Sequence, residues 1–287
     1  MSLSGPLQRF SNVETRDRRR VTRLLPLAVL TCVFIAFTAC SGLRNLPNEF
    51  QPREVNGRGY RVYVPANHDS NKKMPVMLYL HGSGSRGHDN IAQVDGFRWA
   101  IEPVKDKVDF IVVLPQCDDD NFWSAQDMTE YSLAALDQTV EDFNGDPDRV
   151  YLVGFSLGGY GVWHIAAANP GKFAALVPVA GGVVGTYPMN PHARRAIIPS
   201  VGDMLGSPEP YKEVAKAIGP TPVWVFHGAQ DDSVSVEFAH EIVAALKAEG
   251  RADVKYTEYP DGGHQIFGQA IAEPGLLEWL ASQRRPG

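Results

Sequence analysis

The chain has 287 residues, 44% of them hydrophobic and 21% charged, and a formal charge of −6. That supplies enough apolar material for one large core without disulfide or metal staples. An acidic chain with no basic run beyond its first 23 residues excludes nucleic acid as a natural partner.

In chain order, the first signal is a basic block, Arg16, Arg18, Arg19, Arg20 and Arg23, followed by an apolar run over 24–39 and then Cys40-Ser41-Gly42. A basic stretch, an apolar stretch and small residues at its end predict a secretory signal over residues 1–39. The run falls short of the roughly 20 residues that a membrane span needs. The tetrad FTAC, ending at Cys40, resembles the lipobox of bacterial lipoproteins, with Phe37 standing where leucine is usual. The resemblance implies lipidation at Cys40 and a periplasmic or outer-membrane protein that touches the membrane only through this anchor. Cleavage nearby, giving a secreted protein, and an uncleaved anchor are the alternatives. Residues 1–39 hold six arginines against Glu14 and Asp17, so the remainder carries 21 basic and 31 acidic residues, a formal −10. With Cys32 removed and Cys40 modified, Cys117 is the one ordinary thiol and has no disulfide partner. It reads as a small buried side chain.

Residues 40–57 contain Pro47, Pro52 and Gly57 and predict an irregular tether. The catalytic domain is expected over 58–285. Seven β-rich runs follow, at 60–65, 75–81, 109–115, 149–154, 174–180, 222–227 and 254–259. Several are continuous apolar stretches, as in parallel strands covered on both faces. Helical patterns lie between them. Leu133, Leu136, Val140 and Phe143 form one stripe. The run SVEFAHEIVAALKAEG forms another and stops at Gly250. Strand–helix alternation predicts an α/β fold with a mostly parallel sheet and helices on both faces. Residues 184–209 break the rhythm and predict a cap or long loop.

The glycines of LHGSGSRGHDN fit G-x-G-x-x-G at Gly82, Gly84 and Gly87. A dinucleotide site wants a helix starting at those glycines and an acid near the end of the next strand. The next strand ends VVLPQ, without one. The segment RVYLVGFSLGGYGVW instead places G-x-S-x-G between a strand and a helix, with Ser156 at the turn. So sharp a turn brings residues 154 and 158 too close for a Cβ, which explains both glycines and projects the hydroxyl outward.

A serine nucleophile needs a base, and the base an orienting acid. In this topology the acid and then the histidine follow the serine in sequence. PVWVFHGAQDDSV puts Asp231 and Asp232 at the end of a strand, and PDGGHQIF puts His264 in a loop after the last strand. His240 lies within an amphipathic helix and reads as a surface or packing residue. Between the two aspartates the residues alone do not choose.

Residues 58–283 resemble the α/β-hydrolase fold serine esterases. The nearest patterns are the dienelactone hydrolase-like, phospholipase/carboxylesterase, and secreted feruloyl esterase and polyhydroxybutyrate depolymerase groups. The matching pieces are LHGSGSRGHDN, DPDRVYLVGFSLGGYGVW, PVWVFHGAQDDSV and GGHQIF. In their H-G-x-x-D-x-x-V pattern the first aspartate is the triad member, which implies Asp231. Ser235 replaces a common proline. The same resemblance implies that Ser83 N–H stabilises the transient alkoxide together with the N–H of Leu157, the residue after the nucleophile. The glycines around Ser83 then serve that alkoxide and not a dinucleotide.

Gln116, Asn121 and Trp123 follow a strand at the same sheet edge, so Gln116 and Trp123 are candidates for substrate contact, with core packing as the alternative for Trp123. Arg86 and Asn90 are candidates for bracing the Ser83 loop. No metal-ligating motif occurs in the sequence, and neither a metal nor a cofactor is expected. The expected substrate is a small or oligomeric carboxylic ester, cleaved through an acyl-enzyme on Ser156. A serine peptidase of the same constellation and a non-catalytic binding protein of the same fold are the rivals. Oligomeric state is left unassigned.

Overall fold

The computed structural model of the chain describes residues 46–184, 207–251 and 253–285, with the backbone alone at 186–187 and 196–197. The signal segment, Cys40 and most of the 184–209 stretch lie outside the described residues.

Eight strands form one sheet: β1 (Phe50–Val55), β2 (Arg58–Tyr63), β3 (Met74–Leu80), β4 (Ile111–Leu114), β5 (Gly145–Phe155), β6 (Ala175–Val179), β9 (Trp224–Gly228) and β10 (Lys255–Tyr259). Two short strands, β7 (Thr186–Tyr187) and β8 (Ala196–Ile197), pair only with each other. The sheet order is β1-β2-β4-β3-β5-β6-β9-β10. β2 is antiparallel to β1 and β4, and every later pairing is parallel.

Along β3 the side chains alternate between two cores, as the two-residue pleat requires. Val76, Leu78 and Leu80 enter the first core. It is filled from helices α2 (Gln126–Asp142), α3 (Leu157–Ala168), α4 (Pro210–Ala217) and α5 (Glu237–Ala248). Met77 and Tyr79 enter the second, filled from α1 (Ala92–Ile101), α6 (Phe267–Ile271) and α7 (Leu276–Ser282). Burial on both faces is why the strands read as unbroken apolar runs.

Two local expectations are corrected. The tether over 40–57 is in part the edge strand β1, which turns into β2 through Asn56 and Gly57 at φ 52° and 77°. That two-residue turn needs positive φ at both positions, which asparagine and glycine tolerate, and a proline such as Pro52 is at home on a sheet edge. The stripe on α2 is centred nearer Met128, Ser132, Ala135, Leu136 and Thr139, with Leu133 and Val140 only half-buried beside it. Ser132 and Thr139 are polar by type but buried, because their hydroxyls donate to the carbonyls of Met128 and Ala135 at 2.7 and 2.8 Å.

Candidate active site

The parallel strands align so that β3, β5, β9 and β10 end at one edge. Leu80 pairs with Gly154, and Tyr259 with Gly228. The loops that follow carry Ser83, Ser156, Asp231 and His264, as expected where open α/β sheets keep their sites.

Ser156 joins β5 to α3 at φ 54°, ψ −114°, backbone that a side-chain-bearing residue adopts only under constraint. Its N–H donates to Val179 O at 2.9 Å, tying the turn to β6. A Cβ at Gly158 would lie 1.8 Å from Leu80 O, and one at Gly154 would lie 2.2 Å from Gly158 O. Both clashes are with backbone of central strands or of the turn itself. Gly158→Ala is therefore expected to cost more than about 3 kcal/mol. At about 2–4 °C per kcal/mol for a domain of this size, thermal melting should show a Tm lower by about 10 °C. An unchanged Tm would mean that the turn has more room than these distances allow.

Ser156 Oγ and His264 Nε2 are 2.9 Å apart, and His264 Nδ1 is 2.8 Å from Asp231 Oδ2. The Asp231 carboxylate is fully buried. Its Oδ1 accepts the backbone N–H groups of Ser233 and Val234 at 2.9 and 2.8 Å. Burial alone would raise its pKa, but bonds from His227, His264 and those two N–H groups outweigh it and hold the carboxyl well below the usual range. Asp232 is exposed, and among the described residues its carboxylate accepts from its neighbour Ser233 Oγ, at 3.1 Å. His240 pairs at the surface with Glu258, at 2.6 Å, and Glu237.

Glycine again permits the approach of two loops. A Cβ at Gly228 would lie 2.3 Å from Gly263 O, so the loop bearing His264 rests directly on the start of the loop bearing Asp231. Gln230 N–H donates to Gly262 O at 2.8 Å, locking the pair together.

One residue escapes the sequence pattern. His227, fully buried at the end of β9, has its Nε2 3.0 Å from Val234 O and 3.3 Å from Asp231 Oδ2. A carbonyl only accepts, so Nε2 carries the proton and faces the carboxylate as well. The H-G-x-x-D spacing held that signal, since the turn folds residue i back onto residue i+4.

Leu157 is the first residue of α3, so no carbonyl of its own helix can accept its N–H. Ser83 opens a single 3₁₀ turn, Ser83–Ser85, after β3. Gly82 lets that turn close on the ring of Phe155, the residue before the nucleophile, as a Cβ there would lie 3.1 Å from Phe155 Cδ1. No helix starts at these glycines; α1 begins at Ala92.

Gln116 and Trp123, expected to meet substrate, sit beneath this loop. Gln116 is buried; its amide donates to Ser85 O and Asp89 Oδ1 and its Oε1 accepts Asn90 N–H. Trp123 is fully buried, its Nε1–H donating to His81 O at 3.0 Å. His81 is held neutral, its pKa pushed down to about 4 by burial, and its Nε2 accepts Cys117 N–H. Both expected substrate contacts are thus supports, because the loop after β4 folds under the Ser83 turn and buries them. Asn90 also braces the loop, accepting at its carbonyl from Arg61. The Arg86 guanidinium lies over the Phe122 ring. Cys117 is buried, and burial pushes its thiol up to about 12, out of reactive range.

A cavity of about 800 Å³ opens above Ser156 and His264. A buried carboxylate, an imidazole and a nearly buried serine hydroxyl at the floor of that cavity, in one chain of hydrogen bonds, can move a proton off the hydroxyl and onto a leaving group.

Residues 123–281 match the model of the prolyl oligopeptidase family. The bifunctional acetylxylan esterase/xylanase XynS20E of Neocallimastix patriciarum is 28% identical over 75% of this chain, which spans 28% of that protein. Dipeptidyl-peptidase 5 of Porphyromonas gingivalis is 30% identical over 42% of the chain and 19% of its own length. The chain thus spans less than a third of each of these curated relatives. The crystal structure of a thermostable esterase superposes with a TM-score of 0.65 at 27% identity, covering 83% of this chain and 63% of the other.

Proposed function

The chain belongs to the prolyl oligopeptidase family of α/β hydrolases, and from that premise we propose that it is an exported serine hydrolase of carboxylic esters. The observation that carries this reading is the relay Ser156–His264–Asp231, at 2.9 and 2.8 Å, under an open cavity. Ser156 Oγ attacks the acyl carbonyl as His264 Nε2 takes its proton. The N–H groups of Ser83 and Leu157 receive the alkoxide, each such donor contributing about 3–4 kcal/mol. His264 then protonates the leaving alcohol, and water repeats the cycle on the acyl-enzyme.

In sequence, the similarity to the acetylxylan esterase runs over 75% of the chain, against 42% for the dipeptidyl-peptidase; this favours ester over peptide. Export rests on the basic and apolar stretches before Cys40, and anchoring on lipidation of that cysteine. A fluorophosphonate probe should label the protein at Ser156, and a p-nitrophenyl ester should turn over faster than a peptide p-nitroanilide. A wholly unreactive protein would point to a binding module, and a preference for the anilide to a peptidase.

A further inference from the structure

Trp99 is the one large hydrophobic side chain left exposed among the described residues, at 79%. An indole buries more apolar surface than any other side chain when covered, so leaving it in water at an active site invites a ligand. It stands on α1 and lines the same cavity as Ser156 and His264.

The wall beside it is bare. Gly96, one helical turn earlier, also lines the cavity, and glycine inside a helix costs about 1 kcal/mol relative to alanine. Packing does not demand it: a Cβ there would meet only Ser85 Oγ, at an ordinary 3.8 Å. Gly268 of α6 completes the flat wall, and a Cβ there would likewise meet only Ala100 Cα at 3.8 Å. The rest of the described lining is mixed: Tyr79, Phe155 and Phe267 are apolar, Ser85, Ser233 and Gln265 are polar, and Asp232 is the one carboxylate among the described residues. Among the described residues, no lysine or arginine lines the cavity.

A ligand matched to that surface is uncharged, with one flat apolar face and an edge of hydroxyls. An alkyl chain would want apolar walls all round, and a phosphate or carboxylate would want a cation. We propose that Trp99 and Gly96 form a stacking subsite for a pyranose ring, so that the substrate is a saccharide ester whose sugar is the leaving alcohol. This rests on the reading of Ser156 as the nucleophile.

The test compares wild type, Trp99→Ala, Trp99→Phe and Gly96→Val on three esters. These are an acetylated methyl pyranoside, ethyl acetate (the same acyl group without a ring) and methyl hydroxycinnamate (a ring on the acyl side). Trp99→Ala and Gly96→Val should raise KM for the sugar ester about tenfold, Trp99→Phe should recover part of the loss, and ethyl acetate should be unaffected. An unchanged KM for the sugar ester, an equal loss on ethyl acetate, or a loss confined to the hydroxycinnamate would overturn the subsite. A second arm needs no turnover. In the Ser156→Ala background the acetylated pyranoside should quench tryptophan fluorescence, and Trp99→Ala should abolish the quench. Wild type inert on all three esters, with the quench intact, would sink the nucleophile reading and leave the subsite standing.

Discussion

Ser156→Ala is expected to lower kcat for a p-nitrophenyl ester by about 10⁶-fold with the fold intact. The hydroxyl is the only atom lost, and alanine keeps the Cβ, so the turn at φ 54° is neither relieved nor further strained. One hydrogen bond, to His264 at 2.9 Å, disappears, a change of about 1 kcal/mol. At about 2–4 °C per kcal/mol, Tm should move by only a few degrees. Measuring kcat and Tm on the same preparation separates loss of chemistry from loss of structure. Turnover near the wild-type rate would exclude Ser156 as the nucleophile. Residual activity is still expected above the solution reaction, because backbone N–H groups and the cavity survive the substitution.

The features legible in the sequence are those that sterics or chain order impose. Gly154 and Gly158 are required by backbone atoms 2.2 and 1.8 Å from where a Cβ would go, so the turn writes itself into the letters. His264 stands out because it alone among the later histidines follows the last strand in a loop, whereas His240 is committed to Glu258 and Glu237. The sides of loop residues were not legible. Whether Gln116 and Trp123 point into the cavity or under it depends on where the Ser83 turn sits, and that turn takes up the Gln116 amide through Ser85 O. Trp99 left no mark either. Nothing local distinguishes an indole facing solvent from one facing the core on a helix that also buries Val94, Phe97 and Ile101. His227 reads as the last letter of an apolar strand, and only the turn that follows brings its Nε2 to Asp231.

Asp231→Asn is expected to lower kcat/KM by about 10⁴-fold, and the four donors around the carboxylate say why. Oδ1 accepts two backbone N–H groups, from Ser233 and Val234. These cannot accept, so an asparagine must turn its oxygen toward them and its NH₂ toward the histidines. His264 Nδ1 then has to become the acceptor, which moves the ring proton to Nε2, facing Ser156 Oγ. In that tautomer the imidazole cannot take the hydroxyl proton. Asp232→Asn, at an exposed position that accepts from Ser233 Oγ and lies outside the relay, should leave kcat/KM close to wild type. The stability effect has a definite sign. The folded carboxyl is depressed, so its contribution is present above the unfolded value of about 3.9 and is lost as pH falls toward the folded one. Asparagine has no such dependence, and the Tm deficit of Asp231→Asn should shrink between pH 7 and pH 3. A deficit that grows on acidification, or an Asp231→Asn enzyme that keeps its activity while Asp232→Asn loses it, would move the orienting role to the neighbouring residue.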